Sequence, residues 1–359
     1  MQIAYELLPE AQRKSLPTDG HLPFGILRTN HMFQAEYSNG EWHSARIVPY
    51  GSFNLMPGAM CLHYGQTIFE GIKAFRHSDG EIYTFRSDQN ALRMNRSAEI
   101  MCMPTIPVEL QEEAVMRLID VERAWCPSIP ESSLYIRPFM FATEDLLGVR
   151  PSKSYIYCIM LSPSGPYYKS GATDPITLLI SKRFHRAVAG GTGEAKCGGN
   201  YGASLRAAEF AYAHKADQVL YLSADNTIVE EVGSMNHYHV LKDGTFVIPS
   251  FSDTVLRSIT SLSVLALAEQ GLIKARQETV YLDKFLADVQ SGEIIEAGGF
   301  GTAAVISPVS KYIFEDGNEY VVADGKVGRH SMALYKHYTA LQTGDRPAPD
   351  GWLCKVPRF

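Results

Sequence analysis

The sequence predicts an α+β fold in two domains. Stretches of strand and helix character mix along the 359 residues without strict βαβ alternation. A run rich in proline, glycine and serine, Ser162 to Pro175, parts the chain near its middle. The length, with 45% hydrophobic and 20% charged residues, fills two ordinary globular domains. The expected boundaries are a small domain over residues 1–164, a linker over 165–175 and a larger domain over 176–359.

In the first domain, Ile82–Phe85 reads as a strand leaving a turn at Asp79-Gly80. Asp88 is placed to cap a helix over Gln89–Cys102, stopped near Pro104. A second helix is expected over Glu109–Trp125, and Tyr155–Leu161 has the composition of a buried strand. The second domain opens with a strand at Ile176–Ser181, followed by a helix over Ala203–Ala216. Strands follow at Gln218–Leu222, Ile228–Val232 and Tyr238–Leu241, with a turn at Asp243-Gly244. Val255, Ile259, Leu262 and Ala266 recur at helical spacing and place a helix over Thr254–Glu269, ending before Gly271. A last amphipathic helix is expected over His330–Leu341.

A net charge of −6 gives no general attraction to nucleic acid or to anionic membrane, so an anion must be held by a local basic site. The cysteines (61, 102, 126, 158, 197 and 354) form no C-x-x-C pair, which reads as reduced cytosolic thiols. No basic region precedes an apolar core at the N-terminus, and no apolar run approaches the length of a membrane span. A cytoplasmic protein is expected.

The most unusual stretch is Gly190-Gly191-Thr192-Gly193-Glu194-Ala195-Lys196-Cys197-Gly198-Gly199-Asn200-Tyr201-Gly202. An ammonium is strongly hydrated, so a bare loop is an odd place for a solvated lysine. It suits a lysine that must reach a flat ligand without crowding it. The phosphate-loop pattern G-x-x-x-x-G-K-[ST] fails, because Ala195 precedes Lys196 and Cys197 follows it. The dinucleotide pattern G-x-G-x-x-G, begun at Gly191, meets Lys196 at its sixth position. A structural loop and a lysine positioned for covalent chemistry both stay open on these residues alone. The covalent reading requires a deprotonated amine: lowering a lysine by ~3 units from ~10.4 takes ~4 kcal/mol, which burial or conjugation to an aldehyde supplies. The freed amine then acts as a general base that moves a proton between two carbons.

The segment Lys196 to Gly202 resembles the active-site lysine segment of the branched-chain aminotransferases, pyridoxal-phosphate enzymes of the class IV aminotransferase fold. The resemblance extends, in order and with family-like spacing, to His63-Tyr64-Gly65 and Phe69-Glu70-Gly71-Ile72-Lys73-Ala74-Phe75. It continues through Leu134-Tyr135-Ile136-Arg137-Pro138, Glu231-Val232-Gly233-Ser234-Met235-Asn236 and Gly301-Thr302-Ala303-Ala304, covering residues 20–340. It implies a two-domain fold-type IV enzyme with pyridoxal 5'-phosphate in the cleft between the domains, held by Lys196 as a Schiff base. It further implies ping-pong transfer of the amino group between branched-chain L-amino acids (Leu, Ile, Val) and 2-oxoglutarate.

The cofactor needs an acid near its ring nitrogen. Period-two alternation puts residues 230 and 232 on one face and 231 on the other, so the residues alone do not choose between Glu230 and Glu231. The resemblance selects Glu231. Among Arg86, Arg93 and Arg96 it selects Arg93 for the phosphate. Thr302 and the backbone amides of Val255 and Leu256, at the start of a helix, complete that site. Tyr201 matches the tyrosine that bonds the ring oxygen. Phe24, Tyr64 and Tyr135 match the aromatic lining of the substrate pocket. Tyr135 and the backbone of Thr302 and Ala303 are implied to hold the α-carboxylate, and Arg137 the distal carboxylate of L-glutamate. An arginine at the pocket rim serves that substrate without burying an unpaired charge against the aliphatic one. Leu147 and Val149 match a loop that reaches the neighbouring subunit's pocket, which implies a homodimer.

Two departures from the family pattern stand out. The family's Leu-Pro-Gly before the phosphate-binding amides is replaced by Ser252-Asp253-Thr254-Val255-Leu256-Arg257, which sets Asp253 close to the expected phosphate unless it caps the helix. Ala304 to Ser307 contain no cysteine, so the redox C-x-x-C of mammalian members is absent and no thiol switch is expected. Cys197 is expected to pack. His237-x-His239 has a spacing that can bind metal but lacks a third ligand, and no metal is expected. His185 and Arg186 are taken as structural. The alternative on the same fold is a D-amino-acid aminotransferase or an aminodeoxychorismate lyase. A nucleotide-binding module without catalysis predicts a colourless protein.

Overall fold

The computed structural model describes residues 1–18, 20–165 and 174–359, so most of the expected linker, 165–175, lies outside the described residues. Close contacts group the chain into two units. One holds residues 1–167, 195–198 and 340–359; the other holds 168–194 and 199–339.

In the first unit, β1 (Ala4–Tyr5), β2 (His31–Ser38), β3 (Glu41–Pro49), β4 (Thr67–Phe69), β5 (Ile72–Arg76), β6 (Ile82–Phe85), β7 (Ser133–Ala142), β8 (Tyr155–Ser164) and the C-terminal strand Leu353–Lys355 form one sheet. Its order is β1-β3-β2-β8-β7-β5-β6 and then the C-terminal strand, with β4 also on β7. Helix α1 (Met60–Tyr64) precedes β4, and α2 (Ser87–Ile100) and α3 (Val108–Val121) follow β6. Leu110, Ala114, Val115, Leu118 and Ile119 recur at helical spacing on the buried face of α3. They join Met94 and Ala98 of α2 and the sheet residues Phe33, Ile72, Ile136 and Leu161 in one core. That core includes Ala195 and Cys197, the neighbours of Lys196.

The short segment 195–198 groups with this unit for a local reason. Ile68 bridges Cys197, and the Phe69 N–H donates to the Lys196 carbonyl at 3.0 Å. The C-terminal residues group here because Leu353–Lys355 pair with Tyr83–Phe85.

Strand β7 is buried along almost its whole length and pairs with β8 without a break, from Ser133↔Ser164 to Ala142↔Tyr155. On its other edge β5 pairs with residues 134–136 and β4 with residues 139–141. Pro138 has no N–H to give and sits at the interruption between those two strands, where its carbonyl accepts the Glu70 N–H at 2.7 Å. Glu70 and Gly71 therefore lie between the two paired strands at this point.

In the second unit, β9 (Ile176–Ile180), α4 (Gly198–Ala213), β10 (Gln218–Leu222), β11 (Val229–Val232), β12 (Met235–Leu241), β13 (Phe246–Pro249), α5 (Ile259–Glu269), β14 (Ala275–Glu278), α6 (Leu282–Ser291), β15 (Ile294–Gly301), β16 (Val305–Phe314), β17 (Glu319–Val321) and α7 (Arg329–Thr343) follow in order. The sheet runs β11-β10-β9-β16-β15-β12-β13-β14, and β11 also pairs with β12, which closes the order on itself. Phe285, Leu286 and Val289 of α6 pack against Leu220, Val247 and Tyr312 of the sheet. Helices and sheet combine in both units, so the chain is α+β.

Three helix boundaries correct the expectations. Asp88 lies in the first turn of α2 and does not cap it; the cap position is Arg86, in the left-handed region at φ 52°. Helix α4 starts at Gly198 and not at Ala203, which puts Tyr201 on the helix. Helix α5 starts at Ile259 and not at Thr254, because Ser258 is its N-cap and accepts the Ser261 N–H on its side chain. Residues 254–257 precede that cap, and the Val255 N–H is spent on the Ser252 carbonyl at 3.3 Å.

Candidate active site

In the first unit the backbone of Lys196 is fixed at both ends. Its N–H donates to Ser97 Oγ of α2 at 2.9 Å and its carbonyl accepts from Phe69 at 3.0 Å. The ammonium lies 4.8 Å from the centre of the Phe69 ring. The Arg137 guanidinium lies 4.9 Å from the same centre. Arg137 Nη2 donates to the Tyr135 hydroxyl at 2.8 Å, and the Phe24 ring meets Tyr135 edge-on at 4.9 Å. The Arg137 Nε is buried and has no hydrogen-bond partner among the described residues. Gly71 makes the arrangement possible: a Cβ there would stand 2.3 Å from the Tyr135 hydroxyl oxygen. An amine, a guanidinium with an uncommitted N–H and an aromatic wall thus share one region.

Arg93, one helical turn before Ser97, forms a forked pair with Glu70. Its Nε and Nη2 donate to the two carboxylate oxygens at 2.7 and 2.8 Å. Asn90 Nδ2 and the Gly71 N–H add donors at 2.7 and 3.1 Å. Burial pushes the Glu70 carboxyl up, but the charge and hydrogen bonds of Arg93, the charge of Lys196 and the Asn90 amide bring it below the usual range.

In the second unit Glu231 and Glu230 are both buried. Glu231 pairs with Arg186, and its other oxygen accepts from Asn236 Nδ2 at 2.7 Å. Glu230 accepts from Thr254 Oγ1 at 2.5 Å, and burial raises its carboxyl above the usual range. Asn236 continues toward α5: its Nδ2 donates to the Leu256 carbonyl at 2.8 Å, and its Oδ1 accepts from the Ser258 N–H at 3.1 Å and Ser261 Oγ at 2.9 Å. Ser258 takes the N–H groups of Ser261 and Leu262, which leaves the amides of Ile259 and Thr260 unclaimed by the cap.

Arg186 also donates to the carbonyls of Gly193 (2.9 Å) and Thr254. Gly193 is the tightest glycine of the loop, with a would-be Cβ 2.6 Å from Thr254 Cα. Its bareness makes room for the 252–254 turn, not for the lysine. Asp253 neither caps α5 nor stands alone: its Oδ2 accepts the Gly190 N–H at 2.7 Å.

The structure thus brings Lys196, Arg137, Tyr135 and Phe24 into one chain of contacts. Tyr64 ends α1 at 39% exposure, and Leu147 and Val149 are 73% and 86% exposed; that chain of contacts does not include them. Tyr201 lies half-buried on α4. Thr302 and Ala303 lie in the turn 302–304, between the paired Gly301 and Val305. His237 and His239 are buried side by side, and no cluster of three metal-ligating side chains occurs among the described residues. Sequence reasoning gave no part to Phe69, Glu70 and Asn236 and did not find the Ser258 cap of α5. A serine two residues before Thr260 was the available cap signal.

Residues 67–312 match the family Amino-transferase class IV. The chain is 42% identical over 345 residues to Branched-chain-amino-acid transaminase 1 of Bacillus subtilis (strain 168), covering 96% of each chain. Its fold is similar to the crystal structure of the Escherichia coli branched-chain amino acid aminotransferase, with a TM-score of 0.75 and 26% identity over 91% of this chain and 99% of that one. It is also similar to the T.th. branched-chain amino acid aminotransferase with pyridoxamine 5'-phosphate, with a TM-score of 0.70 and 27% identity over 90% and 98% of the two chains. With family, near full-length relatives and fold in agreement, the chain belongs to the class IV aminotransferases and, within them, to the branched-chain-amino-acid aminotransferases.

Proposed function

We propose that this chain moves the amino group between branched-chain L-amino acids and 2-oxoglutarate with Lys196 as its catalytic residue. The cofactor of the family, pyridoxal phosphate, supplies an aldehyde that captures amines and a ring that accepts electron density. The residues present suit it. Arg93 and the amides of Ile259 and Thr260, at the start of α5, take the phosphate together with Thr302; the helix start favours them over Val255 and Leu256. Buried Glu231, its charge balanced by Arg186, meets the ring nitrogen, and Tyr201 the ring oxygen. Lys196 Nζ holds the cofactor covalently and takes the α-proton of the bound amino acid.

Phe24, Tyr64 and Tyr135 form the wall for an aliphatic side chain, while Tyr135 and the backbone of Thr302 and Ala303 hold the α-carboxylate. Arg137 meets the distal carboxylate of glutamate. The observation that carries this reading is the pair of cations flanking Phe69: the Lys196 amine on one contact and, on the other, Arg137 with its unpartnered Nε. Exposed Leu147 and Val149 support a homodimer in which each reaches the partner's pocket. No helix of the described residues is long and apolar enough to cross a membrane, and a cytoplasmic enzyme is part of the reading. The domain boundaries proposed are 1–164 and 176–359.

A panel of L- and D-amino acids with 2-oxoglutarate tests the substrate class. L-leucine, L-isoleucine and L-valine should react and D-alanine should not. Borohydride reduction followed by peptide mass spectrometry should fix the cofactor on Lys196; label on any other lysine overturns the assignment.

A further inference from the structure

We infer that Glu70 is a positioning residue for cofactor phosphate, holding the Arg93 guanidinium in one orientation from behind. The inference rests on the proposal that Arg93 takes that phosphate. A carboxylate at 1% exposure is costly unless its lone pairs are filled. Here four N–H donors fill them: two from Arg93, one from Asn90 and one from the backbone of Gly71. Two of those donors, Asn90 and Arg93, stand three residues apart on one face of α2. Glu70 itself is fixed by its backbone N–H on Pro138, at the interruption of the β7 ladder.

The forked contact uses Nε and Nη2, so the planar guanidinium is locked with its Nη1 edge turned away from Glu70. A free arginine side chain has many rotamers, and fixing it beforehand removes that loss from the binding step. The space behind Glu70 is a cavity of about 10 Å³, room for one water, and no cationic side chain among the described residues lines it. Ser87, Asn90, Gln111 and Tyr157 are among its walls. The Tyr157 hydroxyl there is buried without a partner among the described residues. The cations acting on Glu70 are Arg93 and Lys196. The strip Phe69-Glu70 thus holds the lysine by its main chain and the arginine by its side chain.

The test compares pyridoxal 5'-phosphate with pyridoxal, which lacks the phosphate, as ligands of the full chain stripped of cofactor. Dissociation constants are read from the absorbance of the bound aldehyde for wild type, Glu70→Gln and Arg93→Ala. Both variants should lose about ten-fold or more of the preference for the phosphorylated form, with pyridoxal binding unchanged. If Arg93→Ala keeps the wild-type preference, the assignment of Arg93 to the phosphate is wrong. If Arg93→Ala loses it and Glu70→Gln does not, or weakens both ligands equally, the positioning role is overturned while the arginine's role stands. Should Glu70→Gln fail to fold, Asn90→Ala reads the same preference. A smaller drop supports the inference and a wild-type value overturns it.

Discussion

Glu70 in the first unit and Glu231 in the second are both buried carboxylates paired with an arginine, and the two pairs are built in opposite senses. Around Glu70 the carboxylate is the hub: Arg93 and Asn90 from one helix face and Gly71 from one strand end all converge on it. Around Glu231 the arginine is the hub: Arg186 reaches the carboxylate and the carbonyls of Gly193 and Thr254, three separate segments. In the first region the carboxylate serves the arginine. In the second the arginine serves the carboxylate. The same pair of residue types therefore presents a fixed cation in one place and a fixed anion in the other, which is what the roles proposed for Arg93 at a phosphate and Glu231 at a protonated ring nitrogen require.

The largest effect expected from this contrast is on stability. Arg186→Ala removes the cation paired with Glu231, which is 4% exposed, and takes a donor from two carbonyls, and should cost about 3–5 kcal/mol. Arg93→Ala should cost less, because Glu70 keeps the Asn90 and Gly71 donors and the charge of Lys196. Urea melts of the two variants check the order. Adding Glu231→Gln to Arg186→Ala should recover part of the loss. A milder Arg186 variant, or no recovery in the double variant, would show that the arginine does not serve the carboxylate.

What the sequence made legible was local. Ile82–Phe85 and the turn at Asp79-Gly80 form where expected, because alternation and an Asp-Gly pair act over a few residues. The start of α5 did not read out, since Val255 continues the apolar spacing of Ile259, Leu262 and Ala266 backward past Ser258. Only the cap's hydrogen bond decides the boundary. Glu230 and Glu231 resisted choice for a tertiary reason: β11 is buried on both faces, so alternation does not mark an inner one. Their distinction comes from Arg186 and Asn236, residues brought by other segments. The pairing of Glu70 with a residue 23 positions later was equally invisible.

A second, smaller effect separates the units by pH. His237 and His239 of the second unit are buried, and burial holds both rings neutral, His239 down to about 3 and His237 well below its ordinary value. A histidine with a depressed folded pKa binds its proton more readily when unfolded. Its contribution is therefore present above pH 6.5 and is lost as pH falls below it, at about 1.4 kcal/mol per pH unit per histidine. Glu70, lowered in the fold, keeps its contribution until pH falls below its unfolded value of 4.5. Between pH 6.5 and 5 the second unit should thus loosen first. Hydrogen exchange should accelerate at β12 and α6 before α2, and His239→Gln should flatten the pH slope of urea stability. Earlier opening of α2 would contradict the ordering.

The smallest effect concerns Asp253, where the chain departs from its family's usual residues. If its charge faced the cofactor phosphate, the repulsion would weaken binding, and Asp253→Asn would tighten it about ten-fold or more. The geometry assigns it elsewhere. Its Oδ2 accepts the N–H of Gly190, a residue at φ 77°, and its carbonyl accepts the Glu194 N–H, so it ties the glycine loop to the turn before α5. Asparagine keeps an acceptor oxygen for Gly190 and loses only the charge at an exposed site. Asp253→Asn should then leave the dissociation constant for pyridoxal phosphate within about two-fold of wild type and lower stability by no more than about 1 kcal/mol. Equilibrium titration and a urea melt on one preparation give both numbers. A marked gain in affinity would move the acid from the loop's anchor to the phosphate's neighbour and would place the anion of the second region against the cofactor at two points.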